Sequence, residues 1–413
     1  MTRGAAGIGK TVLTQSFVLN WAEDKASQDI QFMFPFNFRE LNLLKEKQFS
    51  LVELLYHRFS EFKEAEISRF EDSQVLFIFD GLDESRLLLD FSNSEILTDV
   101  TESSSLDVLL TNLIRGKLLP SACLWITTWP AAANQIPAEC IDLMTEIRGF
   151  TDPQKEEYFQ KTLKNERQAT KIISHIKNSQ SLNVMCNIPA ICWITAAVLQ
   201  DAMKLQKEVI LPKTLTELFI NLLALQTKEK RIRVVGAKPE PFFNSKTMKM
   251  IESLGKLAFD QLQKGNQIFY ESDLAECGID IRAASVYSQT FPQIFREERG
   301  LYQDKVFCFV HLSVQEFLAA LHVHLTFIES GVNLLDEQLK CPLPGDAKEK
   351  TPLIHLHQTA VDQAIQSPNG HLDLFLKFLF GLSVPTSQTF LSGLQTRGSS
   401  QSNQETFQYV KKL

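Results

Sequence analysis

The sequence predicts an α/β domain with a parallel sheet, followed by domains that are mostly helical. Residues 31–38 are rich in β-forming side chains, and residues 75–79 and 123–127 are unbroken apolar runs, typical of parallel strands buried on both faces. Between these two runs, residues 106–114 carry leucine and isoleucine at helical spacing, and Gly116 is placed to end that helix. Strands that alternate with helices indicate an α/β domain.

Helix-start signals dominate after residue 150. Asp152-Pro153 predicts a helix with Asp as its cap and Pro in its first position. Thr214 with Glu217, and Ser313 with Glu316, match the capping box, in which two side chains satisfy each other's backbone donors. This part of the chain is therefore predicted to be mostly helical.

Three stretches interrupt the helical pattern. Residues 228–246 contain Gly, two Pro and many charges, which predicts a loop. Residues 301–303 and 306–309 flank Asp304-Lys305 and predict a hairpin, and a hairpin before a capped helix suits a winged-helix domain. From residue 387 onward, abundant Ser, Gln, Thr and Asn predict a loosely ordered tail.

The 413-residue chain has an ordinary globular composition, with 44% hydrophobic residues, 22% charged residues and a net charge of −7. Nucleic acid as a main partner would need a basic surface, so we expect no nucleic-acid partner. The seven cysteines lack a C-x-x-C pair, which favours a reducing compartment. No apolar run is long enough to span a bilayer, so we expect a cytoplasmic protein with no membrane span.

A glycine-rich motif near the start, Gly4-Ala-Ala-Gly7-Ile-Gly9-Lys10-Thr11, fits the P-loop pattern G-x-x-x-x-G-K-S/T at every fixed position. Its backbone N–H groups can surround phosphate oxygens, Lys10 supplies a positive charge, and the Thr11 hydroxyl can ligate Mg²⁺. The chain lacks the Asn-Lys-x-Asp sequence that recognises guanine, which favours ATP or ADP. We expect the nucleotide to contact Gly4, Gly7, Ile8, Gly9, Lys10, Thr11 and Val12. A chance glycine-rich turn is the alternative for the motif alone.

A P-loop normally follows a central strand, but only Met1, Thr2 and Arg3 precede Gly4. We therefore expect that strand to be missing or reduced to a stub. Either the sequence is a fragment of a longer protein, or its start is misplaced.

An acidic motif follows the apolar run at residues 75–79. Asp80 ends the run and is predicted to deliver its carboxylate to the Mg²⁺ shell. Asp83 or Glu84, just beyond it, is expected to polarise the attacking water. The alternative is a strand followed by an acidic solvated turn, and the upstream P-loop makes that alternative weak.

Together, the P-loop and Asp80-Gly-Leu-Asp83-Glu84 resemble the NACHT NTPase module of the NOD-like receptors, and the detail of the motifs is similar to the large branch expanded in fish. Cys123-Leu-Trp-Ile-Thr-Thr-Trp129-Pro130 resembles the sensor strand of that family. The family usually has Arg where Trp129 stands, and that Arg reads the γ-phosphate. We therefore expect ADP to be favoured and hydrolysis to be slow or absent, unless another cation such as Arg148 reaches the phosphate.

Two further motifs make the resemblance specific. Asn187-Ile-Pro189 resembles the helical-domain proline motif, which implies that Pro189 packs against the adenine. Phe309-Val-His311-Leu-Ser-Val-Gln-Glu-Phe317 resembles the winged-helix motif, which implies that His311 contacts the ADP phosphates.

The resemblance implies a P-loop NTPase of the STAND/AAA+-like kind, ATP/ADP and Mg²⁺ as cofactors, and a nucleotide-controlled switch in innate immune signalling. It implies four domains: a NACHT domain at 1–150, a helical domain at 151–205, a winged helix at 206–325 and a second helical domain at 326–413. A closed, ADP-bound state would open and self-associate, or join other receptors of this type. We expect a fragment without the effector domain and leucine-rich repeats, and a signalling adaptor as a partner only of a longer form.

Two other patterns are set aside. Leu391-Ser-Gly-Leu-Gln395 is similar to the transporter ATPase signature but lies far beyond the place where that signature belongs. The pairs His322/His324 and His355/His357 are candidate metal ligands, yet they fall in helical patterns, where residues two apart do not share a face.

Three functions remain open. The first is a signalling switch with slow hydrolysis, in which ADP bridges Lys10 and His311. The second is an ATPase that performs mechanical work, and Trp129 at the sensor position counts against it. The third is a binding-only scaffold or decoy that is locked on nucleotide.

Overall fold

The computed structural model describes residues 1–59, 73–163, 165–204, 211–235, 245–299, 305–336, 353–366, 372–384 and 387. These residues form two compact units, Met1–Gly149 and Phe150–Leu413. The strands and helices of the first unit are β1 Thr2–Gly4, α1 Lys10–Ala22, β2 Phe32–Asn37, α2 Phe38–Leu41, β3 Gln48–Phe49, α3 Leu51–Arg58, β4 Val75–Asp80, β5 Ser104–Ser105, α4 Leu106–Ile114, β6 Cys123–Thr128 and β7 Thr145–Ile147.

The first unit is built on a parallel five-stranded sheet, as predicted, with the strand order β2-β4-β6-β1-β7. The three predicted strands are β2, β4 and β6, and the predicted helix is α4. The strand expected to be missing or reduced to a stub is the three-residue β1, which pairs in parallel with β6 on one side and β7 on the other. The P-loop therefore starts from an interior position of the sheet.

The two faces of β4 determine where Asp80 points. All six residues of β4 are buried. On one face, Leu76 and Ile78 pack against side chains of α1. On the other, Phe77 and Phe79 stack with phenylalanines of β2 at ring-centroid distances of 5.3 to 6.5 Å. Because side chains alternate along a strand, Asp80 shares the face of Leu76 and Ile78 and points toward α1.

The second unit is mostly helical, as predicted. Its helices and strands are α5 Asp152–Thr162, α6 Glu166–Asn178, α7 Gln180–Met185, α8 Pro189–Lys204, α9 Leu215–Val235, α10 Ser245–Gln263, β8 Ile268–Phe269, α11 Glu271–Glu276, α12 Ile281–Thr290, β9 Phe295–Arg299, β10 Lys305–Phe309, α13 Leu312–Ser330, α14 Leu353–Gln366 and α15 Asp373–Leu382. The predicted winged helix is formed by three antiparallel strands, in the order β8-β10-β9, and by helices α10 to α12. Lys305, expected in the turn of the hairpin, is instead the first residue of β10 and pairs with Arg299 of β9, and the expected strand at 301–303 lies outside the described residues.

The predicted loop at 228–246 is wrong in part. Helix α9 continues to Val235, because the Lys, Glu and Arg residues of this stretch are good helix formers. Helix α10 begins at Ser245, and residues 236–244 lie outside the described part of the chain. Of the tail predicted from residue 387 onward, only residue 387 is described.

Two of the three predicted helix starts need correction. Thr214 accepts from the backbone N–H of Glu217 at 3.2 Å, as predicted. At the second start, Thr151 rather than Asp152 is the cap. At the third, the cap is His311, and the Ser313–Glu316 capping box is wrong because Glu316 is buried in the core and only 3% exposed.

Candidate nucleotide site

The P-loop backbone has the shape that a phosphate cradle requires. Gly7 and Gly9 have positive φ angles of 68° and 106°, which side chains with a Cβ rarely adopt. A Cβ on Gly4 would lie 2.9 Å from Cγ2 of Ile8, so this glycine permits close packing under the loop. The side chain of Val12 is 68% exposed, which leaves its backbone as the group able to face a phosphate. Helix α1 begins directly after Gly9 and presents its N-terminus at the same place.

The ammonium group of Lys10 lies over the loop. Its Nζ donates to the carbonyl oxygens of Gly4, at 2.8 Å, and Ala5, at 3.1 Å. Burial lowers the pKa of Lys10, although the nearby carboxylates of Asp83 and Asp80 oppose that shift. Since its present hydrogen-bond partners are neutral carbonyls, a phosphate oxygen can replace them and gain a charge-assisted hydrogen bond.

Thr11 and Asp80, the two predicted magnesium ligands, are in direct contact. Oγ1 of Thr11 donates to Oδ2 of Asp80 at 2.7 Å. Oγ1 of Thr127 donates to Oδ1 of Asp80 at 2.6 Å and accepts from the backbone N–H of Gly81 at 3.0 Å. Thr127, which the sequence did not single out, therefore fixes the orientation of the Asp80 carboxylate.

The donor set fits Mg²⁺ bound together with a nucleotide. Mg²⁺ prefers oxygen ligands and usually takes one or two carboxylates, with phosphates and waters for the remainder. The Thr11 hydroxyl and the Asp80 carboxylate are oxygen donors of this kind. Among the residues that the structure describes, no group of three or more His, Cys, Asp or Glu could hold a metal ion, and the two histidine pairs lie on α13 and α14.

The Asp83 carboxylate lies close enough to Lys10 to feel its charge. Asp83 lies on the short helical turn Leu82–Glu84, and its Oδ1 accepts from the backbone N–H of Trp129 at 3.0 Å. Burial and the neighbouring Glu84 carboxylate raise the pKa of Asp83 to about 6, while the Lys10 ammonium opposes this shift. A carboxylate with a pKa near neutrality can exchange a proton under working conditions, as a general base requires.

The Glu84 carboxylate is held by a cation instead. Nε and Nη2 of Arg39 donate to its two oxygens at 2.6 and 2.9 Å, and Nδ2 of Asn42 donates to the Glu84 carbonyl at 2.8 Å. The strand pairing explains this contact, because Asn37 on β2 lies opposite Asp80 on β4. The residues after each strand therefore meet at the same sheet edge. No local pattern identified Arg39.

The position at which the family usually has Arg lies directly after β6. Trp129 is half-buried, and its backbone N–H orients Asp83. Arg148, the alternative cation, is 86% exposed, and its Nε lies 3.5 Å from Oε2 of Glu146. The structure thus gives Arg148 an exposed ion pair of its own.

The remaining predicted contacts lie in the second unit. Pro189 is half-buried and is the first residue of α8. His311 caps α13, and its Nδ1 accepts from the backbone N–H of Ser313 at 3.1 Å. The neutral imidazole therefore carries its proton on Nε2, the nitrogen that can donate to an anion. The structure brings together Lys10, Thr11, Asp80 and Asp83, while the roles of Pro189 and His311 stay predictions.

Comparison with known protein families gives three matches along the chain. Residues 1–166 match the NACHT domain, residues 249–309 match the NOD2 winged helix domain, and residues 311–413 match the NLRC4 helical domain HD2. The domain limits given by the sequence, 1–150, 151–205, 206–325 and 326–413, stay predictions.

Three curated relatives match nearly the whole chain. Protein NLRC3 of Mus musculus is 33% identical over 97% of this chain, and the NLR family CARD domain-containing protein 3 of Homo sapiens is 32% identical over 95%. The NACHT, LRR and PYD domains-containing protein 3 of Homo sapiens is 30% identical over 92%. The chain spans 38%, 37% and 35% of the length of these relatives. All three are mammalian, so the similarity to the branch expanded in fish stays a prediction. Within the described part of the chain, no helix has the length and apolarity to cross a membrane.

Proposed function

Because this chain belongs to the NACHT-domain NOD-like receptors, we propose that it is an ATP/ADP-controlled switch in innate immune signalling. The observation that carries the proposal is the direct contact of Thr11 with Asp80 at 2.7 Å beneath a complete P-loop. This contact joins the two protein groups that a magnesium–nucleotide complex needs. When bound, Mg²⁺ neutralises charge on the phosphate oxygens.

The carboxylates of the site have separate roles in this proposal. Asp83 faces the charge of Lys10 and has a pKa of about 6, so Asp83 is the group that orients the attacking water. Glu84 is bound by Arg39 and holds the acidic turn against α2. This assignment separates two residues that the sequence left as equal alternatives.

The switch itself follows from a difference in affinity between two states. A ligand moves an equilibrium between closed and open forms only by its differential affinity for them. ADP held by Lys10, and by His311 and Pro189 as the family resemblance implies, would favour the closed form. Opening would then permit self-association or assembly with other receptors of this type, in the cytoplasm. A signalling adaptor would join a longer form, and two of the relatives are named for a CARD domain and a PYD domain.

A binding-only protein locked on nucleotide is the second candidate. One observation favours it: Trp129 stands where the family usually has Arg. Without that cation the capacity for hydrolysis falls, while the capacity to bind ADP does not.

Nucleotide affinity and turnover of the purified chain, measured with and without Mg²⁺, test the proposal. We expect Asp80→Asn to weaken the Mg²⁺-dependent part of binding, because it removes the charge beside Thr11. Asp83→Asn should slow turnover more than Glu84→Gln does. Binding without turnover would favour the binding-only protein that is locked on nucleotide. If Asp80→Asn binds and hydrolyses nucleotide like the parent, the acidic motif is structural.

A further inference from the structure

Two cysteines flank the turn between α7 and α8. Cys186 directly follows α7, and Cys192 lies in the first turn of α8. Both have 0% exposure, and the nucleotide site does not use them. The Cys192 thiol donates to the carbonyl oxygen of Cys186 at 2.8 Å, so it lies against the backbone of its neighbour.

The surroundings of this pair are polar on one side. Sγ of Cys186 lies 3.7 Å from Oγ1 of Thr195. The Lys155 ammonium is close by and donates to the carbonyl oxygen and Oδ1 of Asn183, at 3.0 and 2.9 Å. An entirely apolar core would provide neither a hydroxyl nor a buried cation beside a thiol.

The two sulfurs are not equivalent. The neighbouring Cys192 side chain lowers the pKa of Cys186, and Thr195 and Lys155 act in the same direction against burial. The hydrogen bond to Cys186, together with burial, raises the pKa of Cys192. Burial in apolar surroundings alone would raise the pKa of both thiols. Cys186, whose sulfur lies 3.7 Å from the Thr195 hydroxyl, is therefore the nucleophile, and Cys192, whose thiol donates to a carbonyl oxygen, is the protonated partner.

We propose that Cys186 and Cys192 are a redox-modifiable dithiol that a peroxide converts to a reversible disulfide. The Cys186 thiolate attacks the O–O bond of hydrogen peroxide, which gives a sulfenic acid and one water once the displaced oxygen is protonated. The Cys192 sulfur then attacks the Cys186 sulfur, an S–S bond forms, and the sulfenic oxygen leaves as a second water. Two thiols lose two electrons and two protons, and one peroxide becomes two waters.

Helix α7, which directly precedes Cys186, is short enough to open locally. Helix α7 spans only Gln180–Met185, and Val184 within it is 59% exposed. Short elements with little buried surface open at a lower free energy cost than the rest of a fold. Such opening admits a molecule the size of hydrogen peroxide.

The consequence for nucleotide binding rests on the proposed function. A disulfide would close a ring around residues 187–191, which include Pro189. The Asn187 carbonyl oxygen in this ring accepts from the Phe150 backbone N–H at 2.7 Å. Closing the S–S bond removes the thiol donor that now binds the Cys186 carbonyl and draws the start of α8 toward α7. The oxidised form is expected to bind ADP several-fold more weakly.

The test is oxidation of the full chain with hydrogen peroxide, alkylation of the remaining thiols, and peptide mapping by mass spectrometry. We expect a Cys186–Cys192 link that dithiothreitol reverses, and no link in Cys192→Ser. Cys277 is the internal control, because burial and Asp260 raise its pKa to about 11. Cys277→Ser should form the link like the parent. Peptide mapping of the oxidised parental chain needs no substitution, so the test stays decisive even where a serine variant fails to fold.

The outcomes separate the two proposals. If Cys186 reacts no faster than Cys277, or forms no link to Cys192, the redox inference is wrong, while loss of binding in a Lys10 variant would still support the nucleotide switch. If the link forms and ADP affinity is unchanged, the dithiol stands and the adenine contact of Pro189 is wrong.

Discussion

The phosphate site of the first unit and the packing of α13, α14 and α15 in the second unit both remove ionisable side chains from water, but in opposite ways. At the phosphate site, Asp80 accepts hydrogen bonds from two threonine hydroxyls, and Glu84 is bound by Arg39. In the helical packing, burial and the Asp373 carboxylate raise the pKa of Glu316 well above its usual value. Burial, together with His357 in the case of His324, lowers the pKa of both histidines to about 4.

This difference distinguishes a ligand-binding site from a packed helical core. Threonine hydroxyls and the Arg39 guanidinium bind the carboxylates of Asp80 and Glu84 in the first region, where a magnesium–nucleotide complex needs charge. In the second region, burial raises the pKa of the acid and lowers the pKa of the two bases, which favours their neutral forms. The first region is therefore expected to respond to ligand, and the second to pH.

The largest effect is expected from the two buried histidines. In the unfolded chain they bind protons near pH 6.5, but in the folded chain only near pH 4. Stability therefore falls as pH drops from 6.5 to 4, by about 3 kcal/mol for each histidine. Replacing both by Gln should flatten this dependence in urea unfolding measured from pH 7 to pH 4. His355→Gln, a half-exposed histidine on the same α14, is the control, and equal acid sensitivity of the double variant would contradict neutral burial.

Lys10→Ala tests the phosphate site of the first unit directly. Removing the ammonium deletes charge-assisted hydrogen bonds worth about 1.5–3 kcal/mol each, so ADP and ATP affinity should fall more than about a hundredfold. Far-UV circular dichroism should show the helical unit unchanged. Lys25→Ala is the matched control, because Lys25 is exposed and paired with Glu23 just beyond the end of α1. Parental affinity in Lys10→Ala would show that the P-loop does not hold the nucleotide.

Glu316→Gln tests whether the helical packing of the second unit holds a protonated acid. The folded state keeps the Glu316 proton above pH 4.5, whereas the unfolded state loses it there. Stability of the parent therefore falls as pH rises, by about 1.4 kcal/mol per pH unit until the folded pKa is reached. Glu316→Gln should raise the melting temperature more at pH 7 than at pH 5. Glu329→Gln, exposed on the same helix, should change neither, and an equal gain at both pH values would show that Glu316 is ionised.

Trp129→Arg is expected to give the smallest change. An indole has one donor and no charge, whereas Arg presents a planar cation to phosphate. Restoring the cation should improve ATP binding about tenfold or more and leave ADP binding nearly unchanged, because ADP lacks the γ-phosphate. Arg148→Ala should leave the ATP/ADP ratio as in the parent, since Arg148 is 86% exposed. An unchanged ratio in Trp129→Arg would mean that the position does not sense the γ-phosphate.

Sequence reasoning succeeded where the signal is local. The apolar run before Asp80 and the fixed P-loop positions predicted β4, α1 and the sheet edge that they share. It missed the contacts of Thr127 and Arg39, because these depend on strands that are distant in sequence and on their register. It placed the start of α13 wrongly because Ser313 and Glu316 have the capping spacing, although burial of Glu316 overrides it.

The register Asn37↔Asp80 also limits how this chain can tolerate insertions and deletions. Losing one residue from β4 would exchange its two faces and move the Asp80 carboxylate among the phenylalanines that stack with β2. Losing two residues would restore the face but shorten the strand. The irregular stretch between Glu84 and β5 has no strand faces to exchange. Lengthening it is also tolerated, because closing a longer loop costs only about 0.6 kcal/mol for each doubling of its length. Length variation in this unit is therefore expected to accumulate in that stretch and to be absent from β4.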